Sequence, residues 1–91
     1  MMTAWRVDFS SKAAKQVRKL PESERSKLRA LVVELMQLGP VRGTWPNYSK
    51  LGGELHHCHL SRRYVAVWEV VDRQVRIMEM RYVGSREKAP Y

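Results

Sequence analysis

The sequence predicts an α+β domain: two N-terminal helices packed on a twisted, mainly antiparallel four-stranded sheet, in the order β-α-α-β-β-β. Three observations carry that prediction. Apolar residues alternate in the short stretch "AWRVDF" at 4–9, recur with helical spacing between 12 and 38, and form three further strand-like runs between 54 and 83. The 91 residues make one domain, 1–91, with no internal repeat, low-complexity tract or linker.

In "AWRVDF", Trp5, Val7 and Phe9 alternate with Arg6 and Asp8, the period of a half-buried strand. Ser10 or Ser11 supplies the capping hydroxyl for a short helix over Lys12–Leu20, whose Ala13, Val17 and Leu20 share one face. Pro21 interrupts it. A second helix runs from Ser23 to Leu38, with Leu28, Leu31, Leu35 and Leu38 in an apolar stripe beside Val32 and with Lys27, Arg29 and Glu34 on the solvated side. Gly39 and Pro40 end it. The stretch "VRGTWPNYSKLGG" at 41–53 reads as a Gly/Pro/Asn-rich loop that packs through Trp45 and Tyr48. Strands are then expected over Glu54–Leu60, Tyr64–Val71 and Val75–Val83, joined by the polar turns "SRR" and "DRQ". The middle run, "YVAVWEVV", is apolar on both faces, as a central strand should be.

A chain this short buries about 60–65% of its unfolded surface, enough for one small core but not for a deep enclosed cavity. Any site is therefore a shallow cleft, which suits a macromolecular ligand better than a small molecule. With 17 Lys and Arg against 9 Asp and Glu, the net charge of +8 favours an anionic partner: nucleic acid, an acidic protein or a membrane surface. One cysteine excludes an internal disulfide and fits a reducing cytoplasm. The N-terminal stretch "MMTAWRVDFSSK" has no apolar leader segment and no run approaches membrane-spanning length, so a cytoplasmic protein without membrane contact is expected.

The segment "ELHHCHL" at 54–60 holds all three histidines and the cysteine. On a strand, alternation sends His57 and His59 to one face with Leu55, and His56 and Cys58 to the other. Tetrahedral zinc needs three or four ligands converging from one side, so no metal and no cofactor is expected. Imidazole instead suits acid–base work near neutral pH, and two of them one strand repeat apart, roughly 7 Å, can flank a reacting phosphate. Further on, "RYVGSREKAPY" turns at Gly84 and Ser85 and brings Arg86, Lys88 and Tyr91 within a few residues, types that clamp phosphate or stack on a base.

The order "W.V.FS..A.K....LP", "L..L...L...GP", "KLGG", "YVAVWEVVDRQVRI" and "YVGSREKAPY" resembles the RelE/ParE toxin superfamily, nearer its RelE-type branch, over essentially the whole chain. That resemblance implies a RelE-like fold and a small basic toxin made with a cognate antitoxin. RelE-type members enter the ribosomal A site, formed by 16S rRNA, and cut mRNA. Operator DNA is reached only through the toxin–antitoxin complex. Carried over by position, a basic pair on the second strand falls on His57 and His59, where RelE has lysines. The arginine after the "VG" turn falls on Arg86, the next basic residue on Lys88, and the terminal tyrosine near Tyr91. The place that often holds arginine after the tyrosine opening the third strand is Val65 here, and Arg62 and Arg63 in the preceding turn are the substitutes. Lys50, Arg62, Arg63 and Arg81 are expected to contact RNA backbone.

The expected activity is metal-independent endoribonuclease cleavage by attack of the 2′-OH on the adjacent phosphate. His57 and His59 move protons, Arg86 and Lys88 meet the phosphate, and Tyr91 orients the nucleotide. Two other readings use the same fold: a ParE-like inhibitor of DNA gyrase, and a non-catalytic module that binds antitoxin or nucleic acid.

Overall fold

The computed structural model describes residues 4–91; residues 1–3, the start of the N-terminal stretch read above as free of an apolar leader, lie outside them. Strand β1 (Arg6–Phe9) leads at once into α1 (Ser11–Arg18), because Ser10 serves both. Its backbone N–H donates to Met80 O at 3.0 Å, and its Oγ accepts from Ala13 N at 3.1 Å as the N-cap. Helix α2 (Glu22–Leu38) starts on Pro21, whose carbonyl accepts from Glu24 N and Arg25 N, and carries Glu22 and Glu24 in the first turn, where the helix dipole favours negative charge. Gly39 ends it at φ 95°, a left-handed conformation that any side chain would strain, and a Cβ there would come 3.3 Å from Trp5 Nε1.

After a connection that packs Trp45 and Tyr48 on the core come β2 (Ser49–Gly52), β3 (Leu55–His59), β4 (Tyr64–Asp72) and β5 (Ile77–Ser85), then a 3₁₀ turn over Arg86–Lys88. Over the described residues the sheet has five strands in the order β1-β5-β4-β3-β2. β1 runs parallel to β5, and the remaining neighbours are antiparallel. The α+β class and the helical pair on a mainly antiparallel sheet are as expected, with one strand more. That strand, Ser49–Gly52, was read as loop. It turns back onto β3 through Gly52 at φ 132° and Gly53 at φ 52°, which only glycine adopts freely.

One face of the sheet carries the helices. Leu28, Leu31 and Leu35 of α2 meet Trp68 of β4 and Met78 and Met80 of β5 in the main core. The expected stripe on α2 stops at Leu35: Leu38 is 64% exposed, because the helix end overshoots the sheet. On the other face Val65, Val67 and Tyr82 form a smaller cluster with Leu51, Leu55 and Ala89. β4 is thus buried on both sides, as its sequence implies. A bulge in β5 opposite Val67 and Trp68 pairs them with Tyr82 and Met80 and leaves Arg81 as the extra residue. It shifts the phase of the strand, so Tyr82 faces away from the helices while Met80 and Val83 face them. The last strand begins at Ile77 instead of Val75, since Asp72 Oδ1 accepts from Gln74 N and Val75 N and holds the chain in a turn.

No helix of the described residues is long and apolar enough to cross a membrane.

Candidate active site

β3 divides the histidine cluster in two, as alternation requires. His57 and His59 stand in register with Val67 and Val65 of β4, on the face away from the helices. His56 and Cys58 stand opposite Trp68 and Ala66 and point into the main core. The four side chains do not converge on one point.

The inward pair is sealed. His56 lies between Tyr48 and Trp68, with ring centroids 5.9 and 6.0 Å away, and its Nδ1 meets Tyr48 Oη at 2.7 Å. Its Nε2 is buried without a hydrogen-bond partner. Burial, with the positive charge of Lys50, holds His56 below the ordinary imidazole range, so it is neutral at neutral pH. Burial pushes the Cys58 thiol up to about 12, which removes it as a nucleophile.

Of the outward pair, His59 borders a cleft and His57 stands beside it. The rings of His57 and His59 are 5.9 Å apart and edge-on, somewhat closer than a bare strand repeat. Ser49 Oγ on β2 contacts His57 Nδ1 at 3.1 Å, which fixes the ring and leaves Nε2 for other work. The tail returns across this face: Ala89 packs on the Val65/Val67/Tyr82 cluster and the Tyr91 ring sits 4.6 Å from His57. Burial raises the Tyr91 phenol above its ordinary range, so it keeps its proton. His59 is lowered, first by burial and then by the charges of His57 and Arg86, and favours its neutral form.

Beside His59 lies an open recess of about 360 Å³ lined also by Pro46, Asn47, Ser61, Arg62 and Arg86. Its shape follows from two backbone bonds. His59 N donates to Pro46 O at 2.8 Å, and Arg86 N donates to Arg63 O at 2.7 Å, tying the end of β5 to the 61–63 turn. A second recess shares Arg62 and Arg86 and adds Arg63, Tyr64, Ser85 and Glu87. Val65, at the place where the resembled family often holds arginine, is fully buried across from His59. The guanidinium groups that share a recess with His59 are those of Arg62 and Arg86.

The structure thus brings His57, His59, Arg62, Arg63, Arg86 and Tyr91 to one end of the outer sheet face. It does not bring Lys88 or Lys50 into that group, and Arg81 reaches it only through a neighbouring recess that it shares with Tyr91. Lys88 lines a separate recess with Gln16, Lys19 and Tyr82, because the 3₁₀ turn directs it toward α1. Lys50 pairs in register with His56 and so takes the opposite face from His57. Arg81 is ion-paired to both Glu69 and Glu79, a cross-strand pair of like charges that it neutralises. Sequence reasoning missed Ser49, Asn47 and Ser61. The dipeptide Pro46–Asn47, with Asn47 at φ 54°, is a turn signal, and "YSKL" after it alternates; together they marked the extra strand and the serine on it.

A neutral imidazole, a second imidazole anchored by a hydroxyl, a protonated phenol and unpaired guanidinium groups can together move protons at a phosphodiester and hold its charge. This fold and this site define a class of small basic α+β proteins with a cationic cleft on the open sheet face. A scan against protein-family models and a search of curated proteins each return no match. Solved structures do match. The isolated Escherichia coli RelE toxin is similar with a TM-score of 0.74 and 29% identity, covering 96% of this chain and 89% of that one. The toxin–antitoxin complex DinJ–YafQ of E. coli gives a TM-score of 0.75 at 13% identity, over 96% of this chain and 98% of that one. The archaeal RelE–RelB complex from Pyrococcus horikoshii OT3 gives 0.73 at 20% identity, over 97% and 100%. Over nearly its whole length the chain is similar to RelE-like toxins and shares their fold.

Proposed function

We propose that this chain is the toxin of a type II toxin–antitoxin system. In this reading it is a metal-independent endoribonuclease that cleaves mRNA in the ribosomal A site and so stops translation in the cytoplasm. The observation that carries the reading is the meeting of strand residues 57–59 with the tail 86–91: Arg86 shares a recess with His59, and the Tyr91 ring lies 4.6 Å from that of His57. The similarity to RelE supports it.

The neutral form of His59, favoured by burial and nearby cations, accepts the proton of a ribose 2′-OH. The 2′-oxygen bonds to the adjacent phosphorus as the bond from phosphorus to the 5′-oxygen breaks. His57, held at Nδ1 by Ser49, supplies a proton to the leaving oxygen from its Nε2. Arg86 and Arg62 meet the charge that builds on the phosphorane, and Tyr91 orients the nucleotide over His57. The products are a 2′,3′-cyclic phosphate and a 5′-OH. Arg63 meets backbone in the recess it shares with Arg62 and Arg86, while Lys88, Lys50 and Arg81 act on backbone farther out. The partners are a cognate antitoxin, mRNA and the ribosome, with operator DNA met only in the toxin–antitoxin complex.

Primer extension on translated mRNA tests the proposal. His57→Ala and His59→Ala should each reduce cleavage by about 10²–10⁴-fold, the worth of one general acid or base. Wild-type rates in both variants would remove the proton-transfer roles. If the purified chain leaves mRNA intact and instead blocks supercoiling by DNA gyrase, the ParE-like reading takes its place.

A further inference from the structure

The charged side chains of this protein are sorted in space. Most arginines away from the cleft have carboxylate partners: Arg6 with Asp8, Arg25 and Arg29 with Glu22, Arg73 with Glu54. Helix α1 is different. It carries Lys12, Lys15 and Lys19 within about 60° of one another around its axis, has no acidic residue in its first turn, and none of the three has a carboxylate within ion-pair reach among the described residues. All three are exposed.

The position of α1 gives this stripe a direction. β1 pairs with β5 only as far as Met80, so the rest of β5 has an open edge on that side. α1 covers it: Gln16, one turn on from Lys12 and beside the stripe, accepts from Val83 N through Oε1 at 2.9 Å. Lys12 Nζ lies 5.8 Å above the Tyr82 ring, which belongs to the outer sheet face. Lys19 shares a recess with Lys88, Tyr64 and Ser85; the next recess contains Tyr64 and Ser85 with Arg62, Arg63 and Arg86; the one after that contains Arg62 and Arg86 with His59. Adjacent recesses share side chains, so the lysine stripe runs without a break into the candidate active site. Among the described residues, Glu87 is the only carboxylate lining this path.

We propose that the Lys12/Lys15/Lys19 stripe is a second polyanion-binding surface, seating the backbone of a structured RNA next to the strand in the cleft. The proposal rests on the reading of that cleft as an RNA site and names what lies beside it. An acidic protein segment is the less fitting occupant. Protein partners are held chiefly by apolar anchors, and the apolar recess of this molecule, lined by Phe9, Val17, Leu28, Val32 and Val33, is a different one. Backbone phosphates ask for unpaired cations and no side-chain pockets, which is what the stripe offers.

The test compares Lys12→Gln/Lys15→Gln/Lys19→Gln with a control of equal charge loss, Arg6→Gln/Lys27→Gln/Arg29→Gln, both checked by circular dichroism melting. Glutamine keeps helix propensity, so α1 should fold in both. The probe is a blunt-ended RNA duplex of mixed sequence, titrated with the full chain across a KCl series. In the stripe variant the slope of log affinity against log salt should shrink by about 2–3, near 0.9 per phosphate lost, with Kd raised about tenfold or more at low salt. The control should follow wild type. Equal losses in both variants would mean diffuse attraction, and an unchanged stripe variant would mean no site; either overturns the proposal. So does a stripe variant that keeps the duplex and loses poly-glutamate, which would assign the surface to an acidic protein. Wild type that holds the duplex through the stripe yet cuts no translated mRNA supports the surface and removes the nuclease alone.

Discussion

At the scale of single residues, His59 carries the sharpest expectation. Burial, His57 and Arg86 all hold its folded-state value below the ordinary 6.5, so it stays a neutral base as pH falls through that value. The acid limb of the cleavage rate should therefore lie below the ordinary histidine range. Arg86→Ala removes one of the charges that keep His59 neutral, so the limb should move to higher pH, and the rate should fall by about 10²–10³-fold from loss of a phosphate donor. Arg86→Lys should return the limb toward wild type while recovering little rate, because an ammonium is not a fork of donors. A pH–rate profile of the three proteins on one substrate decides it, and an unmoved limb in Arg86→Ala would sever the coupling. Ser49 acts through His57. Its hydroxyl contributes a hydrogen bond of about 1 kcal/mol, so Ser49→Ala should slow cleavage about fivefold without changing the melting temperature much.

At the scale of elements, two segments are held by unusual contacts. His56 fastens the β2–β3 hairpin and the 45–48 connection to β4 through its place between Tyr48 and Trp68. Its folded-state value is depressed, so below about pH 6.5 the unfolded chain binds a proton that the folded chain refuses. The stability it leaves intact above that pH is lost as pH falls through the window from the ordinary value toward the depressed one. Thermal melts between pH 7 and 5 should show this decline, and His56→Phe, which keeps the stacking, should flatten it. An equally steep decline in that variant would place the acid sensitivity elsewhere. The end of β5 has a different constraint. A Cβ on Gly84 would lie 2.9 Å from Tyr82 Oη, whose hydroxyl donates to Ser85 O at 2.7 Å. Gly84→Ala must displace that ring, so a loss of about 1–3 kcal/mol by urea unfolding is expected.

At the scale of the whole molecule, one core and one charge pattern divide the labour. Leu31 is fully buried between helices and sheet, and Leu31→Ala should cost about 2–5 kcal/mol, a large share of the total stability of a domain this small. Breaking an exposed pair such as Arg73–Glu54 should cost less than about 1 kcal/mol, measured in the same urea series. The excess of +8 is therefore not what holds the fold together. Among the described residues, cations without a carboxylate partner gather along α1, the 61–63 turn and the end of β5.

Much of this was legible in the chain itself. Strand alternation alone separated His57 and His59 from His56 and Cys58, since neighbouring side chains on a strand cannot share a face. The helices and the central place of β4 followed from the spacing of Leu28, Leu31 and Leu35 and from the continuous run "YVAVWEVV". What escaped had weak local signals. β2 is four residues of mixed character whose strand state depends on pairing with β3, and Leu38 continues a helical stripe past the point where there is sheet to meet it. Lys88 sits two residues from Arg86, yet the 3₁₀ turn sends the two to different recesses.

By itself the sequence determined the class of fold, the charge, and which histidine faces which side, because periodicity and composition are properties of neighbouring residues. Only the tertiary structure decided that Tyr91 returns to His57, that Ser49 anchors that ring, that Arg62 shares a recess with Arg86, and that Arg81 is spent on two glutamates. Those contacts join segments far apart in the chain, and their geometry is set by strand register, one bulge and the packing of α1 on an open edge, none of which a local pattern encodes.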